Sequence, residues 1–78
     1  MKNVIIYSTN TWPWCVRVKD YLKTKNVPFT EINVGVDQAG AMEMIRKSGQ
    51  RGVPVIDIAG EIIVGFDVAK INQSLNLT

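Results

Sequence analysis

Apolar residues gather in four short runs, and the stretches that follow the first, second and fourth repeat them at helical spacing. Asn3 to Tyr7 is nearly continuous in apolar character, as expected for a strand buried on both faces. Ser8 to Thr11 reads as polar loop. A helix is expected to begin near Pro13, because a proline is tolerated in a first helical turn, where its missing N–H has no partner to lose. Cys15, Val18 and Leu22 then recur three and four apart on one face. Lys23 and Lys25 lie in the last turn, where positive charge suits a helix C-terminus, and Asn26 and Pro28 close it.

Phe29 to Val34 alternates Phe29, Glu31 and Asn33 against Thr30, Ile32 and Val34, which is adequate for a second strand. Asp37 is a good N-cap for a helix running through Met42 and Ile45, with Arg46 and Lys47 in its last turn and Gly49 ending it. Val53 to Ile58 and Glu61 to Val64 read as two strands joined across Ala59-Gly60, a tight hairpin signal. Gly65-Phe66 is a turn, and Asp67 caps a final helix with Val68, Ile71 and Leu75 on its buried face. The order is β-α-β-α-β-β-α. Its first three elements form a parallel βαβ unit, expected to cross over right-handed. The hairpin adds two antiparallel strands, and the helices cover both faces of a four-stranded mixed sheet in an α/β fold.

The bulk numbers narrow the function classes. Seventy-eight residues make one domain, spanning 1–78. Hydrophobic residues at 46% and charged residues at 21% are ordinary for a globular chain. A net charge of +2 with no basic cluster argues against a nucleic-acid partner. No apolar run approaches the roughly 18 residues of a membrane span. The N-terminal stretch Met1 to Tyr7 lacks the apolar region and cleavage site of a signal peptide, so a cytoplasmic location is expected. A single cysteine, Cys15, rules out an internal disulfide and a Cys-rich metal site. The absence of histidine excludes a Cys–His dyad, a Ser–His triad and a His-ligated metal within this chain.

Candidate chemistry concentrates in Thr11-Trp12-Pro13-Trp14-Cys15, where the first strand ends and the first helix starts. In open α/β sheets ligands bind outside the carboxyl ends of the strands. A helix N-terminus also concentrates unpaired N–H groups and partial positive charge, which lowers the pKa of a thiol placed there.

The segment Tyr7 to Leu22, YSTNTWPWCVRVKDYL, resembles the active-site segment of the glutaredoxins, whose usual core is Cys-Pro-Tyr-Cys. Ser48-Gly49-Gln50-Arg51-Gly52-Val53-Pro54 resembles the stretch leading to that family's cis-proline. Gly65-Phe66-Asp67 resembles its glycine-x-aspartate turn, which holds glutathione. The resemblance covers nearly the whole chain, with three motifs in order. It implies a thioredoxin-like fold and a glutathione-dependent thiol–disulfide oxidoreductase, active in electron transport and cell redox homeostasis. Glutathione is then a co-substrate, no cofactor or metal is implied, the other partners are protein or small-molecule disulfides, and a monomer is expected.

The chain departs from that pattern at one decisive position. Trp12 stands where the family has its first cysteine, the nucleophile, and Cys15 stands in the second, resolving position. Residues 12 and 15 are three apart, a spacing that places them on one helix face. Trp has no thiol and forms no covalent intermediate. Cys15 also belongs to the buried stripe, where a thiol is usually inert. Three explanations stand open. Position 12 is an altered site, or one where cysteine or selenocysteine belongs; the Trp codon differs by one base from a Cys codon and from UGA. Alternatively, the chain is a non-catalytic glutathione- or peptide-binding module. In the third, Cys15 acts alone.

The resemblance also implies roles for other residues. The Val53-Pro54 bond is expected to be cis, leaving the Val53 backbone free to pair with an extended peptide. Gln50 and Arg51 are expected near the glycine carboxylate of glutathione, a role suited to the bidentate guanidinium. Asp67 is both a structural N-cap and an expected glutathione contact. Phe66 is core or cleft wall, and Trp14 covers one side of the groove in place of the family's tyrosine. Many glutaredoxins carry a lysine three residues before the attacking cysteine; here that position is Thr9. Thioredoxin reductase therefore stays open as an alternative electron donor.

Overall fold

The computed structural model describes residues 3–9 and 12–77. Its elements run β1 (Val4–Ser8), α1 (Pro13–Thr24), β2 (Thr30–Asn33), α2 (Gln38–Ser48), β3 (Val55–Ile58), β4 (Glu61–Val64) and α3 (Val68–Leu75). The order is the one expected from the sequence. Four strands form one sheet in the order β2-β1-β3-β4. β1 pairs in parallel with β2, Tyr7 opposite Ile32, and antiparallel with β3, Tyr7 opposite Val55. β3 and β4 form the antiparallel hairpin. Ala59 and Gly60 both have positive φ, 52° and 97°, as a hairpin of type I′ requires.

Strand alternation divides the core into two layers. Val4 and Ile6 of β1 and Ile56 and Ile58 of β3 pack with Val18 and Leu22 of α1 and Ile71 of α3. Their neighbours Tyr7 and Val55 face the other way, onto Met44 of α2. Helices thus lie on both faces, and each fully buried aliphatic side chain contributes about 1.5–3 kcal/mol. Among the described residues, no helix is long and apolar enough to cross a membrane.

The boundaries differ from expectation in informative ways. Ser8, assigned above to a loop, extends β1 by pairing with Asn33. Its buried hydroxyl donates to Glu31, which also receives Lys19 of α1 at 2.6 Å. The Lys19 hydrogen bond holds the Glu31 carboxyl below its ordinary value. Residues 10 and 11 of the expected loop lie outside the described residues. β3 starts at Val55 and not at Val53, because Pro54 has no N–H to give a ladder. In α2 Met42 points to solvent, and the buried positions are Gly40 and Met44. In α3 the buried residues are Ile71 and Ser74, with Val68 and Leu75 at intermediate depth.

A polar cluster fastens α2 to the sheet. Lys47 reaches Asp57 of β3 at 2.7 Å, the Tyr7 hydroxyl at 2.7 Å and Glu43 at 3.3 Å. The Tyr7 hydroxyl in turn donates to Glu43. Burial alone would raise the Asp57 carboxyl, but the Lys47 ammonium and the Gly60 amide outweigh it and hold the group below its ordinary value. Hydrogen bonds to Asp57 first and Tyr7 second hold Lys47 well above the usual lysine range. Burial raises the Tyr7 phenol, reinforced by Glu43 and opposed by Lys47.

Two predictions follow from α2. Gly40 packs so closely on β2 that an added Cβ would run into the Ile32 side chain. Gly40→Ala should therefore destabilise the fold by about 1–3 kcal/mol in urea unfolding, despite the ~1 kcal/mol that alanine gains in a helix. Because the Asp57 value is depressed, its stabilising contribution exists above about pH 4 and disappears as pH falls through the depressed value. Because the Lys47 value is raised, its contribution exists below about pH 10 and disappears only at higher pH. Lys47→Met should cost roughly 2–3 kcal/mol near neutral pH, less than a fully buried pair because Lys47 is partly solvated. Its acid transition, followed by circular dichroism from pH 2 to 7, should move to higher pH.

Candidate functional site

Three chain segments converge at the carboxyl end of β1. The first is the start of α1. Trp12 is the N-cap, in extended conformation (φ −98°, ψ 124°), and its side chain makes no capping bond. Pro13 is the first helical residue, as expected. The Cys15 amide donates to the Trp12 carbonyl at 3.1 Å, a tight first turn. Trp12 therefore lies just outside the helix. Its side chain is 54% exposed, whereas Cys15 is 0% exposed and packed inside. The two positions lie within the same turn but differ in depth, position 12 exposed and position 15 buried.

The second segment is the loop from Gly49 to Pro54. Ser48 Oγ donates to the Met44 and Gln50 carbonyls, at 2.7 and 3.0 Å, and accepts from the Gln50 amide. The Gln50 side chain turns back on its own loop, donating to the Gly52 carbonyl at 3.0 Å and accepting from its amide at 2.5 Å. Arg51 is exposed. The Val53-Pro54 bond is cis. Among the described residues, the Val53 amide and carbonyl have no hydrogen-bond partner.

The third segment is the turn between β4 and α3. Gly65 has φ 82°, a conformation that favours glycine, and its amide donates to the Pro54 carbonyl at 2.8 Å. That bond ties the second segment to the third. Phe66 lies between two α1 rings, 6.4 Å from Trp14 and 5.8 Å from Tyr21 in an edge contact. The Tyr21 hydroxyl bonds Asn72 of α3. Asp67 caps α3, accepting from the Lys70 amide at 3.1 Å.

Between these segments opens a cleft of about 290 Å³, lined by Trp14, Val53, Pro54, Gly65 and Phe66. Of the residues singled out from the sequence, the structure brings Trp14, Val53, Pro54 and Phe66 together in that lining. Trp12, Cys15, Gln50, Arg51 and Asp67 do not line it. Gln50 shapes the loop before it, Arg51 lies two residues before Val53, and Asp67 follows Phe66 as a cap. Gly65 was noted only as part of a turn motif, yet it lines the cleft. Arg17 enters the sequence reading only as the basic residue nearest in sequence to the attacking position, and Tyr21 has no role in it. Their spacing from Trp14, three and seven residues along one helix, is the signal that marks them as its neighbours. Among the described residues, no group of three or more Cys, Asp or Glu is placed to hold a metal.

Cys15 Sγ has no path to solvent in this arrangement. A colorimetric aromatic disulfide should leave it unmodified in the native protein and titrate one thiol after denaturation in guanidinium. Rapid native labelling would show that the start of α1 opens.

The comparisons agree on one family. The family model described as Glutaredoxin matches residues 4–63. An uncharacterized glutaredoxin-like protein of 8.6 kDa, from the rubredoxin operon of Clostridium pasteurianum, is 53% identical over 87% of this chain and 91% of its own length. Glutaredoxin 3 of Escherichia coli strain K12 is 42% identical over 86% of this chain and 81% of its own. Among solved structures, a mutant of the thioredoxin-like protein BC3987 superposes with a TM-score of 0.92 at 33% identity, covering 100% of both chains. A buckwheat glutaredoxin–glutathione complex has the same fold, with a TM-score of 0.76 at 22% identity over 96% of this chain and 71% of its own.

Proposed function

This chain belongs to the glutaredoxin family, and on that premise we propose that its cleft binds glutathione within a thiol–disulfide exchange scaffold whose attacking position is residue 12. The observation that carries this reading is the juxtaposition at the cleft. An exposed side chain at position 12 precedes the Trp14 wall by two residues, and the opposite wall presents the unpartnered Val53 backbone. An extended thiol peptide can pair with that backbone while its sulfur points toward position 12. The buckwheat relative of the same fold, solved as a complex with glutathione, supports this choice of ligand.

The chemistry needs a chalcogen at position 12. A thiolate or selenolate there attacks one sulfur of a substrate disulfide, breaking the S–S bond and forming a mixed disulfide. The other sulfur leaves as a thiolate and takes a proton. Cys15 then attacks the sulfur or selenium at position 12, releasing the second half of the substrate as a thiol. Two glutathione molecules reduce the resulting 12–15 bond and leave as glutathione disulfide, supplying two electrons. The Cys15 step requires the first turn of α1 to expose a thiol that is fully buried here. With Trp12 in place the attack has no nucleophile, so the chain acts as a binding module and turns nothing over. This reading places the protein in a reducing compartment, the cytoplasm, as a monomer.

The test is gain of function. Trp12→Cys should reduce a small symmetric disulfide, in an assay coupled through glutathione and glutathione reductase, at least ~100-fold faster than the parent chain. No gain in a folded variant would remove residue 12 as the attacking position. Turnover driven by thioredoxin reductase but not by glutathione would replace the proposed donor.

A further inference from the structure

The residues lining the cleft carry no charged side chain. A ligand with carboxylates must therefore find its cations at the rim. Three cations of the described chain are engaged elsewhere. Lys19 is paired with Glu31, and Lys47 with Asp57 and Glu43. Lys25 lies over the Tyr21 ring at the far end of α1.

Arg17 is different. It is exposed, and among the described residues it has no carboxylate partner. Its guanidinium lies over the Trp14 ring, 4.8 Å from the centroid, and Trp14 is a wall of the cleft. Cation–π attraction holds a guanidinium against a ring without consuming its N–H groups as hydrogen-bond donors. Those N–H groups form the fork that matches a carboxylate bidentately. The stack also restrains a side chain that would otherwise lose much freedom on binding. Arg51, also exposed, belongs to the loop that carries the Val53 wall, two residues before it.

We propose that Arg17, held against Trp14, is a specificity-determining residue that takes a carboxylate of an anionic thiol peptide lying in the cleft. The assignment rests on the reading of the cleft as a glutathione site. It adds a cation on the α1 wall to the backbone pairing offered by Val53. A ligand with a carboxylate at each end is then bracketed by Arg17 and Arg51.

The test is a titration of the intact chain with S-methylglutathione, a thioether that cannot exchange. Tryptophan fluorescence and backbone amide shifts report binding. Saturable shifts at Trp14 and Val53 are expected in the parent chain, with affinity falling as sodium chloride is raised. Arg17→Gln should weaken binding about 5- to 20-fold and flatten the salt dependence. Arg46→Gln, which removes an exposed cation from the last turn of α2, should leave the affinity unchanged. Equal affinities for the parent and Arg17→Gln would overturn the Arg17 assignment alone. The absence of any saturable shift in the parent would overturn both that assignment and the glutathione reading.

Discussion

The structure depends on β1 being a strand buried on both faces. It lies inside the sheet, bonded to β2 on one side and β3 on the other. Val4 and Ile6 feed one core layer while Tyr7 feeds the other. Every helix packs against a layer that β1 helps to build. Its carboxyl end therefore has a fixed position, and α1 starts from it. The parallel pairing with β2 requires the crossover through α1. The antiparallel pairing with β3 brings Pro54 alongside the same end. One strand thus sets the distance between the start of α1 and the loop that faces it.

The cleft follows from how two loops are tied at that end. The Gly65 amide bonds the Pro54 carbonyl, so the wall before β3 and the wall after β4 are one unit. Ser48 and Gln50 stiffen the approach to Val53 with side-chain bonds to nearby backbone. Phe66, held between Trp14 and Tyr21, joins that unit to α1. The Val53 amide and carbonyl have no partner among the described residues, and an unpaired edge beside an apolar wall is suited to an extended ligand. On the α2 face of the sheet, the Lys47 cluster keeps α2 seated and supplies no residue to the cleft lining.

Chemistry at the start of α1 is divided between two positions with opposite surroundings. Position 12 is outside the helix and exposed, where a side chain can meet a large substrate. Position 15 is in the first turn and buried, shielded from casual oxidation. In the exchange proposed above, attack would use the first environment and resolution the second. Trp12 occupies the exposed position and carries no sulfur or selenium. The glutaredoxin family relationship and the residue at position 12 therefore speak to different levels: the scaffold is intact, and the nucleophile is a single side chain.

Much of this was legible along the chain. The Cys15, Val18, Leu22 stripe, the caps Asp37 and Asp67, the αL Gly49 and the Ala59-Gly60 hairpin are local signals, and each stands in the structure as read. Local signals survive because hydrogen bonds and φ preferences within a few residues decide them. Motif order likewise marked Trp14, Val53, Pro54 and Phe66 before their meeting was visible. What the sequence could not decide was long-range. Ser8 joins β1 because Asn33 lies opposite, and Gly40 is needed because Ile32 presses on it. Gln50 turns inward onto Gly52, and Arg17 settles on Trp14 beside the cleft. Periodicity marked the buried stripe of α1 and the elements themselves. Only packing between elements decided which polar side chains were consumed by the fold and which were left facing the cleft, because that choice depends on neighbours distant in the chain.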